Sequence, residues 1–481
     1  MSLLWTTDDL IQATGARPFG QLPAGVSGIS IDTRTLAPGE AFFAIRGERF
    51  DGHDFATAAI KAGAGLLVVS EGKLPALGRL TAPMIVVPDV LQALERAGAA
   101  ARARSRAKVI AVTGSAGKTT TKEALRHALS AVGKVHAADR SFNNHWGVPL
   151  TLARTPKDCD FAVFEIGMSN AGEIRPLARL VRPHIAIVTL IAEAHLGQFD
   201  SLDDIARAKA EIFEGIEPGG YAVLNRDDPR SKLLGKLARE AGVDHVVGFG
   251  ENPRAHFRLT GCTLFGDSST ITAKIGGTEV YARIGAPGRH MVQNVLAVLG
   301  AAYLAGADLE KVAPALANLT AEKGRGKRTL LPHPEGVIAL IDESYNANPT
   351  SMKAALELLG ATPVTGTGRR IAVLGDMLEL GAQSRALHAG LADALVATGT
   401  DLVYLAGPDM AALAEALPEG FPVVHRATVD ELTALLVEGV GPGDAVMVKS
   451  SNRMGFSRLV DALINHFPAT SRANEARLTA P

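Results

Sequence analysis

The run Val109-Ile110-Ala111-Val112-Thr113-Gly114-Ser115-Ala116-Gly117-Lys118-Thr119-Thr120 restricts the fold of this chain more than any other segment. Its apolar, β-branched start predicts a strand, and a glycine-rich turn breaks it. Leu125, Leu129 and Val132 then fall on one face of a helix. A strand–turn–helix of this kind aims several backbone N–H groups into a small concavity at a helix N-terminus, where phosphate oxygens bind. Lys118 adds a mobile positive charge and Thr119 a hydroxyl able to ligate Mg²⁺. A lysine at a helix N-terminus opposes the helix dipole, so an ordinary structural turn gives it no purpose, whereas an anion does. The expectation is an ATP-using enzyme whose nucleotide phosphates lie on Gly114, Ser115, Ala116, Gly117, Lys118, Thr119 and Thr120.

Composition bounds the rest. A chain of 481 residues predicts about three domains. Only 5% of residues are aromatic and 50 are glycine, which suits α/β layers joined by tight turns. With 49 basic and 50 acidic residues, there is no cationic surplus to make nucleic acid or an anionic membrane a main partner. Cys159 and Cys262 stand far apart, which argues against a disulfide framework or a cysteine zinc site. The first residues are acidic where a signal peptide needs a basic start. The longest apolar stretch, 295–307, falls short of the ~18 residues of a membrane span. A cytoplasmic enzyme without membrane insertion is expected.

Along the chain, short strand-like runs separated by Pro-Gly and Gly-x-x-x-Asp-Gly turns predict a small α/β module over residues 1–86. A helix over 90–104 then leads into a central domain, 87–326, where apolar strands (161–164, 185–189, 221–224) alternate with helical patterns. That alternation predicts βαβ crossovers and a mainly parallel sheet. The Thr-rich segment 255–284 predicts antiparallel strands at one edge. Gly324-Arg325-Gly326-Lys327-Arg328 reads as a hinge or linker. Beyond it, residues 327–481 alternate again and predict a Rossmann-like, doubly wound domain ending in a polar, disordered tail from Pro468.

Glu165 follows the strand 161–164. A carboxylate at the C-terminal end of a parallel strand beside a phosphate loop stands where substrates bind, and hard oxygen suits Mg²⁺. The alternative is a solvated strand-end glutamate. His195 follows the strand 185–190 after a short loop, and Lys209 lies in the helical segment 202–213. Taken singly, the histidine is a satisfied polar side chain and the lysine surface decoration.

Together these residues resemble the Mur ligase superfamily, ATP-dependent enzymes that build the peptide of the peptidoglycan precursor. The matching elements are Thr113 to Thr120, Glu165-x-Gly167, Ala194-His195-Leu196, Ala206-x-Ala208-Lys209, Asn225-x-Asp227-Asp228 and Gly288-x-His290-x-x-x-Asn294. Val112, five residues before Gly117, replaces the first glycine of the common phosphate loop, which points to amide ligases rather than GTPases or motor ATPases. The resemblance implies that Glu165 and His195 hold Mg²⁺, that Asn294 contacts adenine, and that Arg325 and Glu343 join the ATP site. It further implies a carbamoylated Lys209 that ligates a second Mg²⁺. Carbamoylation requires a neutral amine, hence a site that depresses the lysine pKa by desolvation or nearby cations. Leu190 and Ala192 depart from the usual Asn and Gly ahead of His195, and Ser450 from a usual Gly.

The N-terminal stretches 29–34, 38–44 and 47–55 are similar to a UDP-binding module of this superfamily, which implies nucleotide contacts from Ser30, Arg34, Gly47, Asp51, Gly52 and His53. Arg34 offers a planar fork for a diphosphate. Without that match, a surface ion pair is the simpler reading. The stretches 141–150, 342–349, 374–381 and 448–455 resemble the member that joins D-alanyl-D-alanine to UDP-N-acetylmuramoyl-tripeptide. That resemblance implies an acceptor site at Asn346, Asn348 and Ser450, though Asn346 to Pro349 also reads as a turn capping a helix. A third-residue-adding ligase or a folate polyglutamate ligase is the alternative; Glu251-Asn252-Pro253-Arg254, which looks like a motif of the former, reads as a turn. A monomer is expected.

Overall fold

Three sheets, taken in chain order, organise the computed structural model, which describes residues 3–194 and 196–468. His195 and the expected disordered tail from residue 469 lie outside the described residues.

The first sheet runs, in spatial order, Arg17–Phe19, Met84–Val87, Leu66–Ser70, Ala41–Phe43 and Ile29–Ser30. Its inner face is closed by the helix Val90–Arg104: Val90, Ala93, Leu94, Ala97 and Ala101 share one core with Ile29, Phe43, Val68 and Ile85. The sequence places this helix at the head of the central domain, but its apolar stripe is spent on the N-terminal sheet. Its other neighbour is the helix Gly147–Ala153, which Gly98 lets approach so closely that a Cβ there would sit 3.1 Å from the Pro149 carbonyl.

The central sheet has nine strands. Lys108–Thr113 lies between Phe161–Glu165 and Ile185–Val188, parallel to both. The chain leaves in one direction for Val135–Ala137 and returns in the other, so the strand order reverses beside the phosphate-loop strand, which makes a ligand-binding crevice at the strands' C-terminal ends. Strict alternation builds a core on each face. Ile110 and Val112 pack with the helices Lys118–Leu129 and Arg289–Leu304, whereas Val109 and Ala111 pack with Ile174–Val181. The expected antiparallel strands are Phe257–Leu264, Ser269–Ile275 and Thr278–Ile284, at the sheet's far edge.

The third sheet runs Lys327–His333, Gly336–Glu343, Ala445–Lys449, Arg370–Gly375, Leu402–Ala406 and Val423–Arg426, antiparallel only in its first pairing. Ala372 and Leu374 face Met352, Leu356 and Leu359, while Ile371 and Val373 face Leu432, Leu436 and Phe456. This is the doubly wound domain the sequence predicts. Between the second and third sheets, Gly324 and Gly326 take φ of +79° and +94°. Asp342 fastens this linker, accepting from Gly324 N at 2.8 Å while its own carbonyl accepts from Gly326 N at 2.8 Å. No helix among the described residues is long and apolar enough to cross a membrane.

Candidate active site

All three units wall one cavity of about 1270 Å³. Glu48 and Glu95 reach it from the N-terminal unit. Ser115 to Thr120, Ser141, Asn143, Glu165 and Asn294 come from the centre, and Glu343, Asn346, Asn348, Lys449 and Arg453 from the C-terminal unit.

The phosphate loop forms its floor. Gly117, at φ +82°, ends the turn against Asn294, whose Oδ1 would lie 2.7 Å from a Cβ at that position. Asn294 therefore packs on the loop itself. Gly114, at φ +151°, lies flat against Thr189, with no room for any side chain: a Cβ would meet Thr189 Oγ1 at 1.8 Å. Ser115 is tied on both sides to the strand-end loop, its N–H donating to Leu190 O at 2.8 Å and its hydroxyl to Ala192 O at 3.0 Å. Thus Leu190 and Ala192, the two departures from the family pattern, serve through backbone atoms that any residue supplies.

Lys118 starts the helix Lys118–Leu129, and its Nζ donates to Gly114 O at 2.7 Å. Burial pushes its pKa below the usual lysine value, and Glu165 opposes that shift. One residue on, the buried Thr119 hydroxyl lies 3.0 Å from Ser141 Oγ and donates to Glu165 Oε2 at 2.8 Å. Asn143 Nδ2 donates to the other carboxylate oxygen at 2.7 Å. One carboxylate and two hydroxyls thus meet beside the loop, a hard-oxygen set that suits an ion keeping several waters and taking its remaining ligands from phosphate. Among the described residues no three His, Cys, Asp or Glu side chains gather as a metal cage.

Lys209 is 2% exposed, lies near the end of the helix Leu202–Ala210 and does not line the cavity. Burial, assisted by the nearby Lys118 charge, holds its pKa well below that of a free lysine. Thr119 and Glu165 are therefore brought together, Lys209 is buried within the electrostatic reach of Lys118 without lining the cavity, and His195 lies outside the described residues.

On the facing wall, Arg325 spans two units. Its guanidinium carbon sits 4.0 Å over the Tyr345 ring, and Nη2 donates to Ser141 Oγ at 3.3 Å. Glu343 accepts from the buried Lys449 ammonium at 3.2 Å, and Lys449 also donates to Asn346 O at 2.9 Å. Asn348 caps the helix Pro349–Gly360 in a capping box with Ser351, as the turn reading expects. Its Nδ2 also reaches Ser115 O of the phosphate loop at 3.5 Å. Ser450 is fully buried, donates to Ser451 O, and does not line the cavity; Lys449 and Ser451 on either side do.

In the N-terminal unit, the Arg34 side chain is 84% exposed and forms an ion pair with Asp32 at 2.6 Å. Asp51 is partly desolvated, which raises its pKa, yet hydrogen bonds from Lys73 and His53 hold it well below the usual carboxylate range. Its Oδ1 accepts from the His53 backbone N at 3.0 Å, and His53 Nε2 in turn accepts from Ser70 N at 2.9 Å. Ser30 Oγ donates to Asp32 O, and Gly47 N and Gly52 N close the intervening turn onto Phe50 O and Ile45 O.

Sequence reasoning did not single out Ser141, Asn143, Thr189, His290 or Lys449 as site residues. Ser141 and Asn143 stand in the stretch 141–150, but their partners Thr119 and Glu165 are far off along the chain, so only the fold reveals the contacts. His290 lines the cavity, with burial lowering its pKa.

Comparison with known proteins follows the same division. The Mur ligase middle domain matches residues 112–302, the Mur ligase glutamate ligase domain 330–452, and the Mur ligase family catalytic domain 25–102. UDP-N-acetylmuramoyl-tripeptide–D-alanyl-D-alanine ligase of Escherichia coli is 36% identical over 90% of this chain and 93% of its own length. The Bacillus subtilis ligase of the same name is 33% identical over 95% and 97%. A crystal structure of MurF from Acinetobacter baumannii superposes with a TM-score of 0.82 at 30% identity, covering 96% of this chain and 99% of that one.

Proposed function

The chain belongs to the Mur ligase family, and from that membership we propose that it joins D-alanyl-D-alanine to UDP-N-acetylmuramoyl-tripeptide at the expense of ATP, in peptidoglycan precursor synthesis. The observation that carries this reading is the cavity shared by three units, with the phosphate loop and the Thr119–Glu165 contact on one wall and Asn346, Lys449 and Arg453 on another. Three ligands must meet there while water is kept out, and three walls supply separate seats. The N-terminal unit, through Ser30, Arg34, Gly47, Asp51, Gly52 and His53, takes the UDP end. The centre takes ATP, with Asn294, Arg325 and Glu343 completing its seat. The C-terminal unit takes the dipeptide, near Asn346, Asn348 and the loop at Ser450. The reading is of a monomer that acts in the cytoplasm, where ATP is supplied.

A carboxylate oxygen is a poor leaving group, so the tripeptide carboxylate first attacks the γ-phosphorus, the bond to the bridging oxygen breaks, and ADP departs from an acyl phosphate. The dipeptide amine then attacks the acyl carbon, phosphate leaves with its oxygen, and the amine's proton is lost. Lys118 offsets charge on the transferring group, where phosphoryl-transfer catalysis mostly acts. Thr119 and Glu165 fit Mg²⁺, which when bound supplies further positive charge there. His195 would join Glu165 on that ion, and Lys209 as its carbamate would ligate a second: the neutral Lys209 amine adds to CO₂ and releases one proton. The depressed pKa of that buried amine supports this assignment.

The test is phosphate release with ATP, Mg²⁺ and UDP-N-acetylmuramoyl-tripeptide, comparing D-alanyl-D-alanine with single amino acids. Release with the dipeptide alone is expected. Release with a single amino acid in its place overturns the reading in favour of another ligase of the family.

A further inference from the structure

Helix Lys118–Leu129 carries a second lysine, one turn after the first. Lys118 faces the cavity; Lys122 does not line it and has no exposed surface at all. Burying an ammonium is costly unless its donors are used, and here they are. Lys122 Nζ donates to Ala138 O at 2.6 Å and to Arg140 O at 3.3 Å, with Glu123 Oε1 at 2.7 Å. An apolar side chain would fill the same space at lower cost. What the ammonium adds is direction: it draws two carbonyls of one loop toward the helix that bears Thr119.

That loop, residues 138–146, has neither helix nor strand, so no regular ladder fixes it. Its working side chains follow directly on the clamped carbonyls. Ser141 Oγ meets Thr119 Oγ1 at 3.0 Å, and Asn143 Nδ2 donates to Glu165 Oε1 at 2.7 Å. The Asn143 carbonyl accepts from Gly167 N at 2.8 Å, which secures the far end of the arm. The near end has Lys122.

We propose that Lys122 is a positioning residue for the metal side of the nucleotide site: a buried cation that sets the 138–143 arm so that Ser141 and Asn143 hold Thr119 and Glu165 in place. The inference rests on the ATP reading above and is tested without the acceptor or the tripeptide nucleotide. Groups that orient metal ligands typically govern metal affinity by tenfold or more. K122M/E123Q removes both buried charges, and E123Q alone is the reference. ADP binding by calorimetry is measured with and without Mg²⁺. In K122M/E123Q the Mg²⁺ concentration for half-maximal enhancement of ADP binding should rise by about tenfold, while Mg²⁺-free ADP affinity stays within about twofold. An unchanged Mg²⁺ requirement overturns the proposal. So does a parallel loss of Mg²⁺-free and Mg²⁺-dependent binding with a lowered Tm, which marks a merely structural lysine. If the double variant does not fold, K122Q is judged by the same two affinities. Absence of phosphate release in the wild-type protein would overturn the ligase reading instead and leave this binding test standing.

Discussion

The Thr119 hydroxyl donates to Glu165 Oε2 at 2.8 Å, joining the first turn of one helix to the end of the neighbouring strand. Register makes the contact: Glu165 pairs with Val112, so its side chain emerges level with the turn that begins at Gly114. Glu165→Gln keeps the shape and removes the charge. The expected result is a kcat lower by about two orders of magnitude, a raised Mg²⁺ requirement and a Tm within a few degrees of wild type. Steady-state kinetics across a Mg²⁺ series, with a melting curve, check it.

Lys118→Ala deletes a cation acting on the transferring phosphoryl group without emptying a core, since Lys118 is only half-buried and bonded to Gly114 O. Losing ~3–4 kcal/mol of transition-state stabilisation lowers the rate by about two to three decades. Phosphate release within a few-fold of wild type would remove Lys118 from the chemistry.

Asn346 and Asn348 should separate. Asn348 closes a capping box, so Asn348→Ala costs about 1 kcal/mol of stability and lowers Tm. Asn346 is exposed on the cavity wall, its side-chain Oδ1 accepting from the N–H of Ala347 while its backbone carbonyl takes Lys449. Asn346→Ala should leave Tm alone and raise KM for D-alanyl-D-alanine more than KM for the tripeptide nucleotide. The reverse pattern would place the acceptor elsewhere.

Lys209→Ala should be nearly inactive and partly restored by a small carboxylic acid, because the proposed carbamate would serve as an anion. With ¹³CO₂, the wild-type protein should show a carbamate carbon resonance that is missing from Lys209→Ala. Identical spectra for both proteins would count against the modification.

Stability should fall on mild acidification. Burial lowers the pKa of His136, His184 and His290 from 6.5, so below that pH the unfolded chain binds protons that the folded chain refuses. Their contribution is fully present above pH 6.5 and is lost as pH falls toward the folded values. His184 matters most to the site, since its Nδ1 accepts from Val109 N at the start of the phosphate-loop strand. Melting curves from pH 7.5 to 5 should drop more steeply for wild type than for His184→Gln.

What the sequence revealed and what it hid have physical reasons. The strands Lys108–Thr113, Tyr221–Asn225 and Ala445–Lys449 are apolar runs buried on both faces, a signal local to each. Val135–Ala137 and Val423–Arg426 are short and partly exposed, so no periodicity betrays them. The amphipathic stripe of Val90–Arg104 gives its apolar face but not what covers it, which is the N-terminal sheet together with Leu150 and Ala153 of the helix Gly147–Ala153. The phosphate loop is legible because backbone geometry dictates its glycines. The arm that serves it is not, because Lys122, Ser141 and Asn143 act through partners distant in the chain. Asn348 shows both limits: the cap was readable from Asn-Pro, the reach to Ser115 was not.

The close packing of Gly114 on Thr189 bears on drug resistance. An inhibitor that draws its affinity from the N–H groups of Gly114 to Gly117 would grip atoms present in every amino acid but proline. At Gly114 itself no replacement side chain fits, so the gene has no direct route of escape there. Resistance would have to arise at the rim, through side chains such as Asn294 or Arg325, which line the same cavity and which the proposed function gives to the nucleotide.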